Sequence, residues 1–246
     1  MSLLKNHPFA VETHFESSIV LTYAIPKSDL VNLIPECLEL DTFDDKWAFV
    51  ALAIVKTKKL RPKGFPSFLG NDFILTGYRI FVRYKTSAGK NLRGLYIIKS
   101  ETDKTKMAFL GNIFTHYSYT KTDINFIKEN TIIKIKSEKS GLDIEINLQK
   151  EEVTLPKNSP FQDWKEARRF AGPLPFTFTY NPEKKEVLII EGVREKWIPK
   201  PIEIIKQKSD FINQFSFYSI ILANAFIIND IPYYWKKGKI DRWIQQ

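Results

Sequence analysis

Eight segments of this chain repeat one pattern, in which β-branched and aromatic residues run for the length of a strand and then stop at turn-forming residues. They are WAFVALAIVK (47–56), TGYRIFVRYK (76–85), RGLYIIKSE (93–101), NIFTHYSYTK (112–121), TIIKIKSE (131–138), LDIEINLQK (142–150), FTFTY (176–180) and EVLIIEGVRE (186–195). Between them, Ser87-Ala88-Gly89-Lys90-Asn91, Lys139-Ser140-Gly141 and Asn181-Pro182-Glu183 fit hairpin or β-turn connections. So many strands in succession predict a mainly β chain of α+β class. Its antiparallel sheet must either close on itself or fold into two layers.

Helical spacing is confined to short stretches. In AIPKSDLVNLIPECL, Ser28 is placed to cap a turn that carries Leu30, Leu33 and Ile34 on one face before Pro35. Ser159-Pro160-Phe161-Gln162 reads as a capping box with proline at the first helical position, and Gly172 stands where a C-terminal cap belongs. This predicts a helix over 160–171. The uncharged run from Phe211 to Asn229 approaches the length of a bilayer span, but Asn213, Gln214, Asn224 and Asn229 interrupt it. It reads as a buried helix or a buried strand. LRPKGFPSFLGND (60–72) is a loop long enough to cover a cavity mouth. No repeat and no Gly/Ser-rich linker divides the chain, so residues 1–246 are read as one domain.

Composition narrows the function classes. With 43% hydrophobic and 14% aromatic residues the chain can bury a sizeable core. Its net charge of +9 is spread along the sequence and mixed with glutamates, as in KSEKSGLDIEINLQKEE, and no nucleic-acid-binding module is recognisable. Nucleic acid is therefore not the expected partner. Cys37 is alone, so no intramolecular disulfide and no cysteine-rich zinc framework can form. His7, His14 and His116 share no ligand spacing, and phosphate loops, dinucleotide fingerprints and nucleophile elbows are absent. No metal and no cofactor are expected. MSLLKNHPF lacks the apolar core of a secretory signal, which predicts a cytoplasmic protein with no membrane partner.

The candidate site residues are polar groups inside apolar strands. A period of two places Arg79 with Leu75, Gly77 and Phe81, Lys99 and Glu101 with Leu95 and Ile97, and Glu191 with Val187, Ile189 and Val193. Two readings stay open. Arg79 pairs with Glu101 or Glu191 as a structural ion pair, or its guanidinium faces a lumen and holds a ligand carboxylate bidentately. Tyr78, His116 and Tyr117 are candidate wall groups, with the limit that strand neighbours point oppositely, so Tyr78 and Arg79, or His116 and Tyr117, cannot both face inward without a bulge. His116 is either a core imidazole or, with Glu101 or Glu191, an acid–base pair for a carbonyl substrate.

The order of segments resembles a known family. AIPKSDLVNLIPECLELDTFDDKWAFVAL, GYRIFVRYKTSAGKNLRGLYIIKSETD, KMAFLGNIFTHYSY, FQDWKEARRFAGP, REKWIPKPIEI and DIPYYWKKGKIDRW together resemble domain of unknown function 2071, itself similar in fold to acetoacetate decarboxylase. The resemblance implies a closed, cone-like β-barrel of the acetoacetate decarboxylase-like type, with a few short outer helices and an internal pocket. In acetoacetate decarboxylase a Gly-Phe-Pro-Lys-Lys motif supplies a Schiff-base lysine. The corresponding stretch here is Asn112-Ile113-Phe114-Thr115-His116, with threonine and histidine in place of the two amines. Lys58-Lys59, Lys184-Lys185 and Lys236-Lys237 lie in loop-like sequence, and Lys104 and Lys106 in a polar turn, where water solvates each charge. Incubation with acetoacetate and borohydride is therefore expected to leave the protein mass unchanged; a lysine adduct would contradict this.

These readings converge on a barrel that binds a small acidic organic molecule. An acid–base lyase or hydrolase acting on a carbonyl compound is the alternative, and a nucleic-acid or protein interaction module is the third. A homo-oligomer is compatible with the sequence.

Overall fold

Residue size alternates along WAFVALAIV: Val50, Leu52 and Ile54 point to one face, and Ala51, Ala53 and Val55 to the other. All six are buried, so this strand is covered on both sides. That accounts for a run too continuously apolar for a strand with one wet face. The computed structural model describes residues 3–150, 152–172, 174–195, 197–215 and 219–244.

The strands are β1 (Val11–Pro26), β2 (Glu39–Leu40), β3 (Trp47–Pro62), β4 (Asn71–Lys85), β5 (Asn91–Thr102), β6 (Tyr119–Lys121), β7 (Asn125–Glu129) and β8 (Ile132–Ser137). There follow β9 (Leu142–Asn147), β10 (Phe176–Asn181), β11 (Glu186–Arg194), β12 (Lys200–Pro201), β13 (Glu203–Ser209), β14 (Ile221–Trp235) and β15 (Lys239–Arg242). Helices α1 (Lys27–Leu30), α2 (Thr105–Phe114) and α3 (Trp164–Phe170) are short. Among the described residues no helix is long and apolar enough to cross a membrane.

The larger sheet has eleven strands and runs β12-β14-β1-β3-β4-β5-β10-β11-β15. β11 also pairs with β14 through Gly192–Trp235, Val193–Tyr234 and Arg194–Tyr233, so the pairings lead from β14 around to β14 again. The sheet is mixed, correcting the antiparallel expectation: β10 and β6 both run parallel to β5. The segments 131–138 and 142–150 do not belong to it. As β8 and β9 they form a separate four-stranded sheet, in the order β13-β9-β8-β7. Its Ile133, Ile135, Leu142, Ile144 and Ile146 share one core with Ile19, Leu21, Leu52, Ile54, Tyr78 and Ile80 of the larger sheet. Burying a side chain of this kind is worth about 1.5–3 kcal/mol.

Three local expectations are corrected. NIFTHYSYTK is not a strand: α2 runs to Phe114, a turn follows, and only Tyr119–Lys121 pairs. Met107, Ala108 and Gly111 supply a helical spacing that the alternating aromatics after them obscure. The turn is tied by Asn112, whose Nδ2 donates to the Tyr119 carbonyl at 2.9 Å and whose Oδ1 accepts from the Tyr119 amide at 2.7 Å. Ser28 does not cap α1; Pro26 holds the cap position and the Ser28 hydroxyl donates to Asp29. The helix expected over 160–171 begins at Trp164, with Asp163 as its cap accepting from the Glu166 amide at 2.7 Å. Ser159 is engaged elsewhere, donating to the Ala223 carbonyl of β14 at 2.7 Å.

The uncharged run from Phe211 holds a 3-10 turn, Ile212–Gln214, and, from Ile221, strand β14. Residues 216–218 within it lie outside the described residues.

Candidate functional site

The face of the larger sheet opposite that shared core encloses a cavity of about 130 Å³. Small side chains on β3 leave the space, because Ala51 and Ala53 line it where their neighbours Leu52 and Ile54 fill the core behind. β4 contributes Leu75, Arg79 and Phe81, β5 contributes Leu95, Ile97 and Ser100, β10 Thr177, β11 Arg194, and β14 Phe226, Tyr233 and Trp235. Tyr117 and Tyr119 enter from the turn after α2. Among the described residues the lining holds two guanidinium groups and no carboxylate, histidine or lysine.

Arg79 is the central group. Its Nε is buried with no hydrogen-bond partner among the described residues, and the part of the side chain that protein does not cover faces the cavity. The guanidinium folds back over Gly77, where an added Cβ would stand 3.3 Å from Nε. Burial pushes its pKa down, against the partial opposition of Tyr233, Tyr119 and Tyr117. Arg194, the strand residue that pairs with Tyr233, also lines the cavity, its guanidinium 3.9 Å from the centre of the Trp197 ring. Burial lowers its pKa too, and the charge of Arg79 lowers it further. Gly192 leaves room for the Tyr233 side chain, since a Cβ there would collide with its hydroxyl.

Three phenols complete the polar lining. The Tyr117 hydroxyl shares a hydrogen bond of 2.8 Å with Thr177 Oγ1, and Tyr233 stacks on Phe15 with ring centres 4.7 Å apart. Burial raises all three, the Tyr117 hydroxyl to about 12, so at neutral pH they are uncharged groups able to donate. Two like charges with neutral donors and no acid among the described lining make the cavity electropositive: such a field would favour a negative guest, and a guanidinium fork has the geometry to match a carboxylate.

The other sequence candidates lie elsewhere. A β-bulge displaces Lys99 and Glu101, because Tyr78 pairs with Lys99 while Arg79 pairs with Ile97, leaving Ile98 as the extra residue. Leu95 and Ile97 therefore face the cavity, whereas Lys99 and Glu101 turn to the opposite side. There Glu101, 4% exposed, accepts from Lys99 Nζ at 2.9 Å, Ser140 Oγ at 2.9 Å and Thr76 Oγ1 at 3.3 Å. Tyr78 is buried on that same side, its hydroxyl 3.1 Å from Ser209 Oγ and its ring against Phe211. Glu191 pairs with Lys236 at 2.9 Å on a half-exposed edge. Arg79 thus pairs with neither Glu101 nor Glu191.

His116 and Tyr117 point apart. Tyr117 lines the cavity, while His116 lies 3.2 Å from the Asn6 side chain in a small cleft with Thr179 and Glu186. Burial and then the positive charge of Lys5 lower the His116 pKa. Arg79 and Tyr117 are the two sequence candidates that the fold brings together. Arg194, Tyr119, Tyr233 and Trp197 were missed. A weak signal exists for three of them: IPYYW sets Tyr233 in an aromatic run, and REKW places a cation three residues before a tryptophan.

The profile of a family described as an uncharacterized conserved protein, domain of unknown function 2071, matches residues 12–218. No curated protein matches the chain. Among solved structures, the acetoacetate decarboxylase of Legionella pneumophila subsp. pneumophila str. Philadelphia 1 is similar over 95% of this chain and 88% of its own, at a TM-score of 0.60 and 12% identity. The enduracididine biosynthesis enzyme MppR complexed with pyruvate is similar over 95% of this chain and 90% of its own, at 0.56 and 8% identity. An acetoacetate decarboxylase-like enzyme from Sphingomonas wittichii RW1 follows at 0.52 and 10% identity, over 97% of this chain and 92% of its own. At such identities the likeness is one of fold, mainly β and acetoacetate decarboxylase-like. With its profile matched over most of its length, the chain belongs to the family of domain of unknown function 2071.

Proposed function

We propose that the ring of strand pairings closes a barrel whose interior binds a small organic carboxylate. Arg79 and Arg194 hold the anion, and the hydroxyls of Tyr117, Tyr119 and Tyr233 supply further donors. The observation that carries this reading is the buried Nε of Arg79, unpartnered among the described residues, in a cavity whose described lining holds no carboxylate. A guanidinium taken out of water costs several kcal/mol unless something pairs with it, and a bound acid supplies that pairing. The pyruvate held by the structurally similar MppR makes a small 2-oxo acid the first compound to try.

No iminium chemistry belongs to this reading. The described lining offers no amine, and Thr115 and His116 stand where the resemblance would put the two lysines. Neither of those groups can condense with a ketone. The residues proposed here bind and orient a carboxylate; the pair His116 and Glu101 does not meet at the cavity.

Calorimetric titration with pyruvate tests the proposal, and its pH dependence adds a second check. Arginine stays protonated in proteins and Tyr117, raised to about 12, stays neutral, so no described cavity group changes charge between about pH 6 and 9. Saturable binding with an affinity flat across that window is the expected result. Affinity that collapses as the pH rises through about 6.5 would mean that a histidine supplies the positive charge, which contradicts the assignment.

A further inference from the structure

A second, larger cavity of about 330 Å³ lies against the first. Phe15, Leu75, Tyr117, Tyr119 and Trp235 line both. The remainder of its wall is mostly apolar, from Phe9, Leu60, Phe73, Met107, Leu110 and Phe114. Among the described residues its one wall group charged at neutral pH is Arg61, already committed to Glu12 at 2.7 Å and to the carbonyls of Phe65 and Lys59. His7 also lines it, its buried Nδ1 without a hydrogen-bond partner among the described residues and its pKa lowered by burial, so that the imidazole is an uncharged polar spot in the wall. Thr115 is likewise engaged with the Gly111 carbonyl. Taken together the two chambers fall within the ~300–1,000 Å³ typical of small-molecule sites, which the first alone does not reach.

The chambers are chemically complementary. Among the described residues one holds two guanidinium groups without an acid; the other is mostly apolar, and its one charged group is already paired. The elements that wall this chamber also expose apolar side chains: α2 exposes Phe109 beside Leu110, and the loop whose ends, Pro62 and Asn71, wall the chamber exposes Phe65, Phe68 and Leu69. A molecule with an acid at one end and hydrocarbon at the other would satisfy both sets of walls at once.

We infer that the ligand is an amphiphilic carboxylate, a medium-chain or arylalkyl acid, whose head lies at Arg79 and Arg194 and whose tail fills the chamber between α2 and the ends of β3 and β4. This rests on the carboxylate reading of the first cavity and names the class of acid it takes. Each methylene moved from water into such a chamber tightens binding by about fourfold.

Titration of the full chain with acetate, butanoate, hexanoate and octanoate, and with 1-octanol as the uncharged control, tests the inference. Affinity should climb by about fourfold per methylene along the acids, with octanol far weaker than octanoate. Leu110→Trp, which fills the chamber away from the arginines, should leave acetate binding within about twofold and flatten the climb; Leu60→Trp serves if that variant does not fold. Acids that bind equally at every length, or a climb that survives both tryptophan variants, would overturn the inference while leaving the carboxylate site standing. Binding by no acid of any length would remove that site and this inference with it. Equal binding of octanol and octanoate, unaffected by Arg79→Met, would show a lipid pocket independent of the cations and overturn the coupling of head and tail.

Discussion

Arg79→Met is expected to give a protein that is more stable than the native chain and that binds a carboxylate at least about ten- to a hundredfold more weakly. Both effects follow from one circumstance. The guanidinium is buried, its Nε has no partner among the described residues, and a second arginine stands near enough to depress its own pKa in response. Replacing buried ionic groups by apolar side chains of similar volume commonly stabilises a fold by about 1–4 kcal/mol. In a chain of this size each kcal/mol raises Tm by about 2–4 °C. On the proposed reading the same substitution removes a charge-assisted pair to the ligand, worth roughly 1.5–3 kcal/mol per charged hydrogen bond, or about ten- to a hundredfold in Kd for each. Arg79→Lys should fall between, keeping the charge and losing the fork. A thermal melt and a titration on each variant decide the matter. A methionine variant that melts lower and binds as tightly as the native chain would mean that Arg79 is a structural residue.

Asp41→Ala is expected to have the opposite effect on stability, a loss of about 3 kcal/mol in chemical denaturation. The Asp41 side chain is fully buried and takes Arg83 Nε on one oxygen at 2.6 Å and Arg93 on the other at 2.6 and 2.7 Å. Arg93 passes the constraint on: it donates to the Phe170 carbonyl at 2.9 Å and lies over the Phe170 ring. Phe170 packs with Phe43, Phe49 and Phe161 where α3 meets the sheet. Cutting a buried pair leaves the partner charges uncompensated, at about 3–5 kcal/mol; both arginines here keep part of their side chain in water, which sets the expectation at the lower end. Arg93→Met made on the Asp41→Ala background should cost far less than Arg93→Met alone. A loss below about 1 kcal/mol for Asp41→Ala would mean that the triad is ornamental to the fold.

The fold was legible where alternation was strong and only one arrangement satisfied it. TGYRIFVRYK and RGLYIIKSE are strands at nearly the expected residues, as is EVLIIEGVRE. Alternation does not say which sheet a strand joins, so TIIKIKSE and LDIEINLQK could be read as strands but not as a separate sheet. It also fails wherever one extra residue enters. Ile98 is such a residue, and it sent Lys99 and Glu101 to the far side of the sheet from Ile97.

The site was half visible for the same reason. Arg79 shares a face with Leu75 and Phe81, and that pattern survives in the structure because no bulge separates them. Arg194 follows Gly192, which has no side chain to mark the face, and Tyr233 and Trp235 belong to an unbroken aromatic run in which neither face stands out. The hollow itself had a signature that alternation alone does not reveal. Ala51 and Ala53 are small at the positions that face inward, against Leu52 and Ile54 facing out. His116 sits in a turn rather than a strand, set there by the Asn112 side chain, so its direction could not be counted from a strand period.

The most direct measurement is a crystal structure of the protein grown with 3-bromopropanoate, with the bromine located by its anomalous scattering. The expected result is one bromine peak inside the cavity, with the carboxylate within hydrogen-bond distance of Arg79 and Arg194. A cavity filled only by water, with the Arg79 guanidinium paired to a protein carboxylate or turned out to solvent, would contradict it.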